Sequence, residues 1–164
     1  MTVELQPAFR TAMRRLASSV AIVALHDQVL RGMTATSLVS VTMDPPTLLI
    51  CVNRSASIHA HLRVAREMSV NLLSVAQASI ADAFAGKVSP DERFRHGEWQ
   101  DCDGIPYLVG AQANVLCRIA SLTVVGSHTM ILAEVHRVSV SDSLSPLLYC
   151  DGGYRAIAQV PANS

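Results

Sequence analysis

Apolar positions along this chain change their period several times, and each change predicts an element. Residues Gln6 to Ser18 place Phe9, Ala12, Met13, Leu16 and Ala17 three and four apart, with Arg10, Arg14 and Arg15 mostly on the other side. That spacing predicts a short amphipathic helix, with Pro7 in the first turn, where a missing N–H is harmless. Val20 to Leu25 is a compact aliphatic run, and His26-Asp27-Gln28 before Val29 and Leu30 predicts a hairpin turn between two antiparallel strands. Past Met33 the chain is rich in Thr, Ser and Val, which favour strands, until Asp44-Pro45-Pro46 ends the run, because proline cannot donate to a ladder. Thr47 to Val52 is nearly continuous in aliphatic residues and predicts a strand buried on both faces.

From Ser57 the period becomes helical, with Ile58, Leu62 and Ala65 on one face and either Ser55 or Ser57 as the N-cap. Met68 to Leu73 predicts another strand, and Ser74-Val-Ala-Gln77 a capping box that opens a helix running to about Ala85. Gly86 to Gly104, with Lys87, Pro90 and the single tryptophan Trp99, reads as a long surface excursion, a kind of segment that often carries function. Beyond Pro106 the pattern alternates as antiparallel strands do, over Ala111–Ala120, Leu122–Val125, Thr129–Val140 and Leu147–Tyr149, and the tail after Ile157 is expected to be loose. Six or seven strands and about three helices without regular βαβ alternation predict a mainly β (α+β) fold, a small closed or split barrel with helices outside.

Composition narrows this picture. A chain of 164 residues is expected to form one domain, able to bury roughly 70% of its unfolded surface. Half the residues are apolar and 16% are charged, which points to apolar surface hidden between subunits, a homodimer. Thirteen basic and thirteen acidic side chains balance, with no basic run interleaved with aromatics, so nucleic acid is not an expected partner. Cys51, Cys102, Cys117 and Cys150 show neither a CxxC pair nor metal-ligand spacing. The start of the chain lacks a basic segment followed by an apolar core, and no apolar run approaches the roughly 20 residues of a membrane helix, so no membrane partner and a cytoplasmic location are expected.

The candidate chemistry lies between Gly32 and Ser57, where two clusters of small polar residues, Thr34 to Ser37 and Asn53 to Ser57, are joined by strand-forming segments. A helix start beside Asn53, Arg54 and Ser55 would combine free N–H groups, hydroxyls and a guanidinium, a set suited to phosphate. Gly-x-Gly-x-x-Gly, the phosphate loop of nucleotide triphosphatases, Gly-x-Ser-x-Gly and His-Glu-x-x-His are absent, which removes most support for a Rossmann site, an α/β-hydrolase or a zincin. His59 and His61 on a helix would point about 200° apart, which disfavours a metal pair.

Several segments together resemble one family. Gly32-Met-Thr-Ala-Thr-Ser, Val41-Thr-Met-Asp-Pro-Pro, Cys51-Val-Asn-Arg-Ser-Ala-Ser, Phe84-Ala-Gly-Lys, Glu92-Arg-Phe, Gly104-Ile-Pro-Tyr-Leu, Gly126-Ser-His-Thr and Gly153-Tyr-Arg, with Arg14 to Val23, Trp99 and Glu134-Val, look like the flavin reductases that serve two-component monooxygenases. The resemblance spans about Phe9 to Ile157. It implies an FMN-binding split β-barrel of antiparallel Greek-key type, a homodimer, and reduction of FMN or FAD by NADH or NADPH for a separate oxygenase. By the same resemblance Thr34, Ala35, Thr36 and Ser37 line the isoalloxazine, Cys51, Val52 and Asn53 the ribityl chain, and Arg54, Ser55 and Ser57 the phosphate. Phe84 and Lys87 would close over it, while His128, Tyr154 and Arg155 would face the nicotinamide nucleotide, with His128 the candidate catalytic residue.

The residue chemistry is compatible with that implication. Hydride transfer needs no protein nucleophile, only two rings held face to face and a stabilised product, which small hydroxyl residues and N–H groups provide without blocking a ring. The chain departs from the resemblance at Ser127, where the family often has aspartate before the histidine, and at Ala133, where Gly-Glu-Val is usual. The missing carboxylate removes an orienting partner for His128. A flavin-binding module without turnover is the competing reading of the same barrel.

Overall fold

The computed structural model describes residues 4–158, so the expected loose tail and the first three residues lie mainly outside the described part. Helix α1 spans Leu5–Arg14, ending four residues earlier than the period suggested, and buries none of its residues. Strands β1 (Ser18–Ser19), β2 (Ala21–Asp27) and β3 (Val29–Ala35) follow, the last two forming the predicted hairpin around Gln28 at φ 57°. Then come β4 (Leu38–Met43), β5 (Pro46–Asn53), a 3₁₀ turn at His59–His61 leading into the short α2 (Leu62–Ala65), and β6 (Glu67–Leu72). Helix α3 (Ala78–Asp82) continues as a wide turn over Ala83–Lys87. The expected capping box is present at the 3₁₀ turn Val75–Gln77 that leads into α3, the Ser74 side chain facing the Gln77 backbone and the Ser74 N–H donating to Gln77 Oε1 at 3.0 Å. The rest is strand: β7 (Trp99–Cys102), β8 (Ile105–Leu108), β9 (Ala113–Val125), β10 (His128–Val140), β11 (Leu148–Cys150) and β12 (Gly153–Arg155).

Seven strands form one antiparallel sheet in the order β3-β2-β6-β9-β10-β5-β4, with β1-β11-β12 and β7-β8 as small satellites. The edge strands β3 and β4 are consecutive in the chain and separated only by Thr36 and Ser37. A two-residue link spans at most about 10 Å of chain, so the two edges of the sheet are drawn together and the sheet rolls into a barrel left open along that seam. This is a split barrel. The expected break between Ala120 and Leu122 is instead a pairing shift inside one 13-residue strand, β9, opposite Leu132 and Ala133 of β10.

Two cores lie on opposite faces of β2. Ala21, Val23 and Leu25 point into the barrel with Ile50, Val52, Met68, Val70, Cys117 and Ile131, while Ile22 and Ala24 face outward against Phe84, Leu108 and Leu147. The strand buried on both faces is therefore β2. In β5, expected to be so, only Ile50 and Val52 are fully buried, because no helix packs outside it.

The excursion after Gly86 also differs from a bare surface loop. Phe94 and Trp99 stack on Phe84, with ring centroids 5.2 and 5.3 Å away, and the β7-β8 hairpin is tied down by buried Asn71, whose Oδ1 accepts from the Leu108 N–H at 2.9 Å and from Asn114 Nδ2 at 2.8 Å. Two aromatic anchors, Phe94 and Trp99, thus pack the segment onto the core. Gly32 belongs to the same arrangement: a Cβ there would lie 2.6 Å from Phe84 Cε1, so the ring sits against bare backbone.

Candidate functional site

The seam of the barrel is where the polar clusters meet. Thr34 Oγ1 donates to Ala81 O at 2.6 Å, which fixes the end of β3 to α3. Ala35 is buried, leaving its backbone for any ligand, and Thr36 is exposed. Ser37 Oγ donates to Cys51 O at 3.0 Å and the Cys51 N–H donates to Ser37 O at 3.2 Å, stitching the start of β4 to β5. Along β5 the side chains alternate, so Val52 lies in the core while Cys51 and Asn53 stand on the other face.

After β5 the chain makes a turn governed by Asn53. Its Oδ1 accepts from the Ser55 N–H and from Ser55 Oγ, both at 2.9 Å. This corrects the expected capping: neither Ser55 nor Ser57 caps a helix, and the helix itself is delayed to a 3₁₀ turn and the four residues of α2. The phosphate argument from a helix N-terminus thus has no long helix behind it. What remains at this corner is Arg54, whose N–H donates to Ser127 O at 2.9 Å and whose side chain is exposed, together with the Ser55 and Ser57 hydroxyls. His128 stands directly opposite Asn53 in the β10–β5 pairing, exposed, with Nδ1 3.0 Å from Ser127 Oγ. The serine thus contacts the imidazole nitrogen that an aspartate would otherwise orient. His59 and His61 go to different neighbours, Thr129 Oγ1 at 2.8 Å and Asp27 Oδ2 at 3.2 Å.

Two cavities flank Thr34. One, of ≈ 350 Å³, is lined by Met33, Thr34, Ser55, Ser57, Phe84 and Arg93 among others. Ser57 Oγ and Arg93 Nε are the two buried side-chain polar atoms without a protein hydrogen-bond partner among the described residues, and both residues line this one space. Arg93 is held in place by donating to Gly32 O at 2.7 Å. Burial, then the charge of nearby Arg31, pull its pKa below the usual guanidinium value, the mark of a cation short of a counter-ion. An anion with several acceptor oxygens fits this donor set, and a phosphate is such a group. Sequence reasoning quoted Glu92-Arg-Phe without giving Arg93 a role; an arginine beside an anchoring aromatic was the signal available.

The second cavity, of ≈ 430 Å³, lies on the other side, lined by Thr34, Thr36, Asp82, Ala85, Tyr149 and Tyr154 among others. Tyr154 OH donates to Asp82 Oδ1 at 3.0 Å, and Lys87 Nζ meets Asp82 Oδ2 at 2.5 Å. The lysine, then the phenol, hold the Asp82 carboxyl below its ordinary pKa. Burial, then Asp82, push the Tyr154 phenol up to about 12, so at neutral pH it is a neutral donor. Asp82 joins Tyr154 of β12 to the turn after α3, and local sequence around it offered no sign of that. Phe84, expected to close over a ligand, is instead a buried member of the aromatic cluster that walls the first cavity, and Lys87 is turned to Asp82. Arg155 is exposed and donates from Nη1 to Tyr154 O at 2.8 Å.

An open antiparallel barrel with a phosphate-suited cavity and a neighbouring groove at its seam defines a nucleotide-binding split barrel. Residues 13–158 match the flavin reductase like domain, and the chain belongs to that family. It is 43% identical over 152 residues to the reductase component of an FADH₂-dependent resorcinol hydroxylase from Rhizobium sp., covering 90% of this chain and 85% of that one. It is 38% identical over 156 residues to FMN reductase (NADH) RutF 1 of Methylorubrum extorquens, covering 94% and 78%. The structure of Streptomyces globisporus NADH:FAD oxidoreductase SgcE6 superposes with a TM-score of 0.89 at 29% identity, covering 97% of this chain and 98% of that one.

Proposed function

We propose that this chain is an NAD(P)H-dependent flavin reductase that passes a hydride from NADH or NADPH to FMN or FAD and releases the reduced flavin to a separate oxygenase. The observation that carries this reading is the pair of unpartnered buried polar atoms, Ser57 Oγ and Arg93 Nε, on a cavity that shares Thr34 with the adjoining groove. That arrangement suits a ligand whose ring system ends in a phosphate, and the names of the relatives above agree with it. With the flavin bound, the reaction balances as NADH + H⁺ + FMN → NAD⁺ + FMNH₂, the hydride leaving nicotinamide and arriving at the flavin ring.

The chain's own residues position and exclude. Arg93 and Ser57, with Ser55 and Arg54 at the rim, hold the phosphate. Cys51 and Asn53 follow the ribityl chain, and Thr34, Thr36 and Ser37 with the backbone of Ala35 and Val52 form a low wall that leaves a ring face free. His128, Tyr154 and Arg155 serve the nicotinamide side, Tyr154 as a neutral hydrogen-bond donor rather than a base.

The chain acts as one domain in the cytoplasm and as a homodimer. Edge strand β4 exposes Val39 (56%), Val41 (52%) and Met43 (78%), and α1 exposes Phe9 and Met13, a larger apolar surface than a monomer usually leaves bare. No helix among the described residues is long and apolar enough to cross a membrane.

The test mixes the protein with NADH or NADPH and excess FMN, FAD or riboflavin and follows nicotinamide oxidation. Turnover of excess flavin excludes a static carrier, and no oxidation above the free-flavin background with any pair overturns the reductase. Arg93→Ala raises the KM for FMN and FAD by about tenfold and leaves riboflavin, which has no phosphate, unchanged.

A further inference from the structure

His59 and His61 turn to different neighbours, and only one of those neighbours lies beside the site. His61 reaches Asp27 at the end of β2. His59 Nε2 instead lies 2.8 Å from Thr129 Oγ1, and Thr129, 3% exposed, is the residue after His128 on β10. That hydroxyl has no other hydrogen-bond partner among the described residues.

The bond completes a row. The corner after β5 meets three successive residues: the Arg54 N–H donates to Ser127 O at 2.9 Å, Asn53 pairs with His128, and His59 reaches Thr129. The first two contacts run through the backbone at the start of the corner, and His59 supplies a side-chain tie at its end. Between them two short turns wind the chain, the Ala56 N–H donating to Asn53 O at 3.0 Å and the His59 N–H to Ala56 O at 2.9 Å. Ser55, Ala56 and Ser57, which line the cavity shared with Arg93, therefore hang between anchored ends.

Ile58 is fully buried and holds this corner against the barrel core, but apolar contact is non-directional, whereas a hydrogen bond to a buried hydroxyl fixes direction. Ser57 Oγ has no protein partner of its own, so its place in the cavity is set by the frame on either side. Arg93 is anchored separately, through Gly32 O on β3. The spacing between the two phosphate donors thus depends on how firmly the corner is tied to β10.

We propose that His59 is a positioning residue of the flavin site, locking the Ser55–Ser57 corner through Thr129 to the strand that carries His128. This rests on the flavin phosphate lying between Ser57 and Arg93, as the reductase reading has it. Loss of the tie weakens a flavin that carries a phosphate and spares one that does not.

The experiment titrates FMN and riboflavin by quenching of flavin fluorescence, which measures binding without turnover, on the unmodified chain, His59→Phe, His59→Gln and Thr129→Val. Phenylalanine keeps the ring and loses the nitrogen, glutamine places an amide nitrogen where Nε2 stood, and valine keeps the shape of threonine without its hydroxyl. The expected result is a rise of about fivefold in the Kd for FMN in His59→Phe, the worth of one lost hydrogen bond, with riboflavin unchanged and most of the affinity kept in His59→Gln. Thr129→Val gives the same pattern and keeps the test intact if a His59 variant does not fold, which thermal unfolding checks. The double variant His59→Phe/Thr129→Val binds FMN no more weakly than either single one, because both remove the same bond. An unchanged Kd for FMN, an equal rise for riboflavin, or additive losses in the double variant overturn the proposal. Binding of FMN no tighter than riboflavin by the unmodified chain overturns the phosphate site beneath it, whereas failure of that chain to oxidise NADH with FMN, with FMN bound, overturns the reductase reading.

Discussion

Strands β2 and β5 are both short aliphatic runs with matching sequence patterns, yet they sit in different surroundings. Outward-facing Ile22 of β2 is covered by Phe84 and by Leu73 and Leu147, whereas outward-facing Leu49 and Cys51 of β5, beside the exposed edge strand β4, have no helix over them. The covered side carries the walls of both site cavities, through Thr34 bound to Ala81 and through Phe84 stacked on Phe94 and Trp99. The bare side is the face on which the proposed homodimer would form. The barrel thus has one face closed by its own chain and another left uncovered by it.

The contrast is broken most severely on the covered side. Phe84→Ala removes the ring shared by the aromatic cluster and the phosphate cavity and lowers stability by about 3–5 kcal/mol, read as a lower midpoint in denaturant unfolding with a weaker KM for FMN. An unfolding midpoint equal to that of the unmodified chain would separate the cluster from the site.

A smaller effect is expected where the covered side meets the C-terminal hairpin. Asp82 has a folded pKa below its ordinary 3.8, so its contribution is fully present above pH 3.8 and is lost as pH falls through the depressed folded value. The difference in melting temperature between the unmodified chain and Asp82→Asn is therefore constant from neutral pH down to about 4 and shrinks below it. A difference that grows on acidification contradicts the assignment. At the alkaline end, Tyr154 titrates near 12, later than a free tyrosine, and its favourable contact with Asp82 fades as pH rises toward that value; ultraviolet absorbance of Tyr154→Phe against the unmodified chain identifies the transition.

The smallest change in folding energy belongs to the bare side. Val41→Asp on β4 alters the stability of a single copy by less than about 0.5 kcal/mol, since the side chain is already in water, but on the proposed homodimer it separates the copies, which light scattering reads as a halved mass. A monomer's mass for the unmodified chain overturns the homodimer, and a dimer's mass unaffected by Val41→Asp moves its interface away from β4.

Much of this was legible before any coordinates. The β2–β3 hairpin follows from the period and the turn at Gln28, the end of β4 from Asp44-Pro45-Pro46, and the opening of α3 from Ser74 and Gln77, all local signals between neighbours in the chain. The resemblance carried by Gly32 to Ser57 and Gly153-Tyr-Arg led to the family that the domain match later established. Short-range chemistry misled where a nearby side chain competed for the same groups. Ser55 looked like a helix cap, but the Asn53 carboxamide takes its N–H and hydroxyl and postpones the helix to α2.

Local periodicity and turn chemistry by themselves determined the strands of the main sheet, most of the helices and the polar seam from Thr34 to Ser37, but not the satellite strands β1, β7 and β12. Only the tertiary structure decided which strand has two buried faces, that Arg93 and Ser57 share a cavity although 36 residues separate them in the chain, and that Asp82 joins Lys87 to Tyr154 from 72 residues away. The reason is that a period reports which face of an element is apolar, while burial and unpaired donors depend on what packs against that face, and here those partners arrive from the distant α3 turn, the Phe94 segment and the C-terminal hairpin.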